Sequence, residues 1–358
     1  MTKHYVLAIN PGSTSTKIAL FENDKVVMED NLSHTNEELA PFSRIAEQYA
    51  FRRQVITRFL AEQGFAVSRL SAVVGRGGLL KPIPSGTYRV NAAMVRDLHA
   101  AERGEHASNL GGLLAKDLAD ELGIPAFIVD PVVVDEMQDV ARISGHPEIS
   151  RRSIFHALNQ KAVAKRYARA KGVKYEALNL IVAHLGGGVS VGAHSQGRVI
   201  DVNNALDGDG PFSPERSGGL PAGELARLCF SGKYSHGEIK KMITGQGGMV
   251  AYLGTNDGRE VARRMASGDV YAGLIFRAFA YQVAKEIGAM AAALKGKVDV
   301  IILTGGLAYN KEALIPWITE AVSFIAPIEV MPGEGEMSAL CEGALRVLTG
   351  QEQDYTYE

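Results

Sequence analysis

The sequence predicts an α/β protein made of two similar domains, and three observations predict it. Short apolar runs alternate with helical patterns from the start of the chain. A strand–turn–strand unit at the beginning occurs again near residue 180. Both turns are built of small residues, hydroxylated in the first copy and glycine in the second. With 358 residues, 46% of them hydrophobic, the chain can bury two separate cores.

Taken in order, "YVLAIN" reads as a buried strand. "KIALFE" is a second strand after the turn "PGSTST", and "KVVMED" a third after the tight turn Asn23-Asp24. A helix over "FRRQVITRFLAEQG" closes at Gly64, and "LSAVVG" is a strand running into the loop "GRGG". A helix in "ASNLGGLLAKDLADELG" leads to the strand "AFIVD", which ends at Asp130. The helix "SIFHALNQKAVAKRYARAKG" closes at Gly172. The opening pattern then returns. Residues 6–27 and 181–200 share the order strand, small-residue turn, strand, polar turn, strand, and differ in length by two residues. The second copy also continues into helices and ends on the strand "VDVIILTGG". Matched order over such a span marks an internal duplication. Domains are expected at 1–150 and 151–336, divided in "SGHPEIS", with a C-terminal helix at 337–358 returning to the first domain.

Composition excludes several functions. A formal net charge of -2 gives no electrostatic case for nucleic acid or an anionic membrane. Cys229 and Cys341 are far apart in sequence, which argues against a disulfide scaffold and for a reducing, cytoplasmic setting. The N-terminus runs into a strand without the basic head and apolar stretch of a signal peptide. The longest apolar segment, 271–294, is interrupted by Arg277, Lys285 and Glu286, so it reads as a buried helix and not a membrane span.

The first turn can be read in two ways. Ser, Thr and Gly make tight turns; equally, backbone N–H groups, hydroxyls and Lys17 can together hold phosphate. Two such domains facing one another across a cleft would offer a turn to each end of a nucleotide's phosphate chain. No GxxxxGK followed by Ser or Thr is present, nor a protein-kinase signature set, so the phosphates must be gripped by other means.

Four motifs carry a resemblance. "AINPGSTSTKIALFEND" resembles the first phosphate motif of the acetokinase family of short-chain carboxylate kinases, and "HLGGGVSVGA" resembles its second. "ILTGGLAYN" is similar to the strand and Gly-Gly turn that supports adenosine, and "PGEGEMSALCEGALRVLTG" to the segment with an acidic residue opening the last helix. The forms "NPGSTSTK", "GRGG" and "HLGGG" resemble the butyrate kinase branch; acetate kinases carry Asn where this chain has Gly187. The family lies in the superfamily of acetate and sugar kinases, heat-shock chaperone ATPases and actin. The resemblance therefore implies two duplicated ribonuclease H-like (actin-like ATPase) domains with a cleft between them. It implies reversible phosphoryl transfer between ATP and a short-chain carboxylate such as butyrate, giving ADP and an acyl phosphate, with Mg2+ or Mn2+ as the metal. Small-molecule carboxylate and adenine nucleotide are the implied partners, and a homo-oligomer is expected. Competing readings are a kinase of branched acids such as isobutyrate and isovalerate, and a non-enzymatic actin-like nucleotide-binding protein.

The resemblance also implies roles. Asn10 helps position the metal, Ser13 and Ser15 contact phosphate, and Lys17 offers a mobile charge. His184, Gly186, Gly187 and Gly188 bind nucleotide phosphate, and Gly305, Gly306 and Asn310 support adenosine. Glu336 is the second metal candidate, with Glu334 chemically equivalent two residues away. Arg76 and Arg216 are expected to clamp the carboxylate and the transferring phosphoryl group, since a guanidinium binds two oxygens at once. Arg76 aligns with a histidine and not with the arginine of acetate kinases. His106 matches a histidine near the acyl site, and His156 follows Phe155, which reads either as an acyl-pocket wall or as ordinary core. Asp130, at a strand end, is expected to orient an arginine or histidine.

Overall fold

A computed structural model describes residues 2–358. In chain order the first strands are β1 (Tyr5–Pro11), β2 (Ser15–Glu22), β3 (Lys25–Ser33), β4 (Ala72–Gly75), β5 (Thr87–Arg89) and β6 (Ala126–Val129). They are followed by β7 (Ile143–His146), β8 (Ile149–Ser150), β9 (Asn179–Leu185), β10 (Val189–Ser195) and β11 (Arg198–Val202). The last are β12 (Val300–Gly305), β13 (Ile328–Pro332) and β14 (Tyr355–Thr356). The chain forms two compact units. One runs up to Val134 and resumes at Gly335–Glu358; the other is Asp135–Glu334.

The first unit is built on one sheet, ordered β14-β5-β6-β4-β1-β2-β3. Antiparallel pairing joins β1 to β2 and β2 to β3, whereas β1, β4 and β6 run parallel. The second unit repeats this with β11-β10-β9-β12-β13, antiparallel from β11 to β9 and parallel from β9 to β13. The duplication read from sequence is therefore a duplication of sheet topology. In both copies the central strands are covered on two faces, which is why they read as unbroken apolar runs. Ile181, Ala183 and Leu185 of β9 pack under the helix Val270–Ala293 through Phe276, Phe279 and Val283. Leu180 and Val182, on the opposite face, pack against Val163 and Ala164 of the helix Ala157–Ala170. No helix among the described residues is long and apolar enough to cross a membrane.

The change of unit lies at Val134–Asp135, ahead of the segment "SGHPEIS" that sequence marks as the link. That segment lies within the small antiparallel β7–β8 pair, whose turn is Pro147-Glu148. Residues ahead of it are already tied into the second unit. Gln138 N donates to Ile200 O at 3.0 Å, and Lys161 pairs with Glu136 at 2.6 Å out of contact with solvent. At the other crossing, the helix Glu336–Leu348 joins the first unit. Its Gly343 lies so close to Val129 and Thr87 that a side chain there would collide with them.

One close approach fixes the loop after β4. Gly75 and Gly111 touch backbone to backbone at the start of the helix Asn109–Leu122, and a Cβ on Gly111 would strike the backbone of Arg76. Arg76 N in turn donates to Ile9 O at 2.8 Å. Gly111→Ala should therefore lower stability by about 1–3 kcal/mol, the usual cost of overpacking a site that cannot yield. Urea denaturation measures this, and an unchanged midpoint would show that the contact relaxes freely.

Candidate functional site

In the first unit, three expected residues meet. Asn10, near the end of β1, donates from Nδ2 to Glu336 Oε2 at 2.6 Å, and the Arg76 guanidinium pairs with Glu336 Oε1. The carboxylate thus accepts from both, with Arg76 and Glu336 side chains 21% and 23% exposed, so the group stays open to a ligand. Glu334 belongs to the second unit, where its backbone O accepts from Asn159 Nδ2 at 2.6 Å. Gly335 lies between the two glutamates at φ 53° and turns the chain from one course to the other.

Lys17 lies directly across from Asn10 in the β1–β2 ladder, so the two side chains leave the same face of the sheet. It is paired with Glu29 at 2.7 Å. Ser13 and Ser15 flank the turn, and their carbonyls accept from Arg52 at 3.0 and 2.8 Å. His106 is exposed in the loop before the helix Asn109–Leu122, where its Nδ1 accepts from Ser108 N at 3.2 Å and lies 2.7 Å from Ser108 Oγ. Asp130 departs from expectation. It is 3% exposed, and its Oδ1 accepts from Gly86 N at 2.8 Å and Ser85 Oγ at 2.6 Å. It braces the 85–86 turn and not an arginine or histidine; a residue at φ 38° directly after a strand turns inward on its own loop.

In the second unit, His156 and His184 stack with ring centroids 3.8 Å apart and planes 11° from parallel. Asn159 donates from Nδ2 to Glu334 O, so its Oδ1 accepts from His184 Nδ1 at 2.8 Å and puts a proton on that nitrogen. His156 is set by a longer buried chain. His194 is kept neutral, its pKa driven well below the usual range first by burial and then by the Lys161 charge. Gln160 donates through Nε2 to Ser190 O at 3.1 Å and Oγ at 2.8 Å, so its Oε1 accepts from His194 Nε2 at 2.9 Å. Tyr175 OH then donates to His194 Nδ1 at 2.7 Å. The Ser190 hydroxyl, already receiving from Gln160, gives its own hydrogen to His156 Nδ1 at 2.8 Å. Neutral His156 therefore carries its proton on Nε2. Phe155, immediately before it, is 2% exposed.

Arg216 is held between the glycine turn and its own loop. A Cβ on Gly188 would fall inside its guanidinium, Nη1 donates to Ala205 O at 2.5 Å, and its Nε is buried without a hydrogen-bond partner. Burial pulls its pKa down, and no carboxylate pairs with it among the described residues. This is a cation short of an anion.

Gly186, Gly187, Gly306 and Asn310 line an open pocket of about 1130 Å³ with Glu334. Gly305, next to Gly306, has φ 88°, and any side chain there would meet the Leu185 backbone. Asn310 Oδ1 caps the next helix, accepting from Ala313 N at 3.0 Å and Leu314 N at 2.9 Å. Asp257, Arg259, Tyr309 and Lys311 also line the pocket and were not found from sequence. Asp257 was legible as an N-cap, since Asn-Asp-Gly opens the helix Gly258–Ala266; its side chain accepts from Arg259 N at 2.9 Å.

The sequence profile of the Acetokinase family matches residues 146–330. The chain is 60% identical to butyrate kinase 2 of Clostridium acetobutylicum over 99% of its own length and 100% of that protein. It is 57% identical to a probable butyrate kinase of Clostridium botulinum, covering 98% of this chain and 99% of that one. In fold it is similar to the crystal structure of Porphyromonas gingivalis acetate kinase, with a TM-score of 0.79 at 21% identity over 96% of this chain and 100% of that one.

The hydrogen-bond chain makes a testable statement about His156. Ser190→Ala removes the donor to Nδ1, so the Nδ1–H tautomer should appear in the nitrogen NMR spectrum of the imidazole, where the parent protein shows the Nε2–H form. A parent spectrum already dominated by Nδ1–H would overturn the assignment.

Proposed function

Because this chain belongs to the acetokinase family, we propose that it is a butyrate kinase, transferring a phosphoryl group reversibly between ATP and butyrate. The observation that carries the proposal is Arg216: a half-buried guanidinium without a carboxylate partner, its Nε buried, set against the glycine turn beside the stacked His156 and His184. Phosphoryl transfer asks little covalent chemistry of the protein and much charge stabilisation. Both the acid and ADP are already anionic, so no strong general base is needed. A fixed cation and the Nε2–H donor of His156 are suited to the oxygens of a phosphoryl group in transit.

The remaining roles follow from this reading. Ser13, Ser15 and the Gly186–Gly188 turn take phosphate oxygens, and the pocket with Gly306, Asn310 and Tyr309 takes adenosine. Arg76, using only part of its five-donor fork on Glu336, receives the acid's carboxylate, with His106 and Phe155 serving the acyl side. No group of three or more His, Cys, Asp or Glu side chains able to hold a metal occurs among the described residues. The pair Asn10 and Glu336 still fits Mg2+, which keeps several waters and needs only one or two protein oxygens besides phosphate. An ion held there would neutralise charge on the phosphate oxygens. Cys229 and Cys341 are both free, in keeping with a cytoplasmic site of action.

Trapping the product with hydroxylamine tests the activity: acyl hydroxamate should form from ATP with butyrate, at a higher kcat/KM than with acetate, isobutyrate or valerate. Binding of ATP without hydroxamate from any C2–C5 acid would refute it. Arg216→Ala should lower kcat by about 10²-fold or more with little change in ATP affinity, and Arg216→Lys should stay impaired because a point charge cannot replace the fork. Glu336→Gln should raise the Mg2+ concentration for half activity while Glu334→Gln does not; the reverse result would move the metal to the other glutamate.

A further inference from the structure

Arg52, in the helix Tyr49–Glu62, is fully buried, and all five of its N–H groups are engaged. Nε and Nη2 reach Gln48 Oε1 at 3.1 and 2.8 Å, and Nη2 also reaches Ser13 O at 3.0 Å. Nη1 serves Ser15 O at 2.8 Å and Thr16 Oγ1 at 3.1 Å. Every one of these acceptors is neutral. Buried charges are ordinarily paired with an opposite charge, because removing an ion from water carries a large desolvation penalty. Here desolvation acts alone: it pushes the arginine's pKa down to about 10, with no acidic group opposing it. Neighbouring His34, whose Nε2 lies 2.8 Å from Thr16 Oγ1, registers the same field, its pKa lowered by burial and then by the Arg52 charge.

The hydrogen bonds show where that charge is directed. The carbonyls of Ser13 and Ser15 turn toward the guanidinium. A trans peptide is planar, so the Thr14 N–H points the other way from the Ser13 carbonyl. Ser13 and Thr14 are themselves exposed. The turn between β1 and β2 therefore presents an N–H donor outward while a full positive charge stands behind it, aligning its dipoles. We infer that Arg52 is a positioning residue for phosphoryl oxygens: the fixed cationic backing of the Gly12–Ser15 turn, whose missing counter-charge is supplied by the nucleotide's phosphates. The inference rests on the reading of that turn as a phosphate cradle.

Gln48→Glu tests it with a near-isosteric change that gives Arg52 a carboxylate inside the fold. The variant should be at least as thermally stable as the parent, yet bind MgATP about tenfold more weakly by calorimetric titration, because the charge behind the turn is cancelled. Arg52→Lys, which keeps the charge and loses two donors, should have a lower Tm but an MgATP Kd within about threefold of the parent. Equal MgATP affinity in the parent and Gln48→Glu would overturn the proposal alone. A tenfold loss in Arg52→Lys would likewise overturn it, leaving Arg52 as scaffolding. A parent protein that does not bind MgATP at all would remove both the phosphate reading and this inference.

Discussion

The carboxylate of Glu336 is the contact on which the first unit's site depends. It receives Asn10 from the end of β1 and Arg76 from the loop after β4, so three distant parts of the chain meet on two oxygen atoms. Each approach has its own backbone condition. Arg76 is brought in by the glycine contact at Gly75 and Gly111, and Glu336 by a helix whose Gly343 lets it lie on Val129. Remove the carboxylate and two donors lose their shared acceptor. The return of the last 24 residues to the first unit is therefore a requirement of the site as well as of the core, because Glu336 opens that segment.

The second unit organises its polar groups on a different electrostatic plan. One of its charge pairs, Lys161 with Glu136, is buried near His194, whose pKa is depressed by burial and then by the Lys161 charge. A neutral chain of Tyr175, His194, Gln160 and Ser190 transmits orientation and no net charge to His156. Two imidazoles stacked at 3.8 Å would repel as a pair of cations, so a neutral partner that fixes one tautomer keeps the stack intact. Arg216 in this unit and Arg52 in the other are cations with no carboxylate paired to them among the described residues. Both are fully or largely withdrawn from water, where a charge acts on an incoming anion with least screening.

Much of this was legible in the sequence, for identifiable reasons. Central strands covered on both faces must be continuous apolar runs, so β1, β9 and β12 stood out, and their repetition exposed the duplicated sheet. Gly75 and Gly305 are glycines because close backbone contact admits nothing else there. The choice between Glu334 and Glu336 did not, because spacing of two residues is uninformative until the left-handed Gly335 separates their paths. Asp130 was misread since a strand end says where a side chain starts and not what it braces. Arg52 gave no signal at all: inside "FRRQVITRF" it is one of several basic residues in a helix without a marked apolar stripe, and only its buried side toward Ser13 and Ser15 distinguishes it from Arg53, which pairs with Asp117 and Glu121.

The glycine turn shows how such constraints sort residues that look alike. Gly186 has the ring of His184 against the place a Cβ would occupy, at 2.8 Å from Nε2, and at Gly188 that place is taken by the Arg216 guanidinium. Neither position admits a side chain without displacing a group of the site. Gly187 is different: nothing lies within 4 Å of its Cβ position, and its φ is not in the left-handed region. Its carbonyl is fixed by Ser213 Oγ at 2.6 Å, which holds the turn's shape whatever the side chain. A difference between branches of the family at this one residue, Asn in acetate kinases and Gly here, thus falls on the member of the three that sterics leave open. The two outer glycines make room for the histidine and the arginine; the middle one is the position of the turn left open to a side chain.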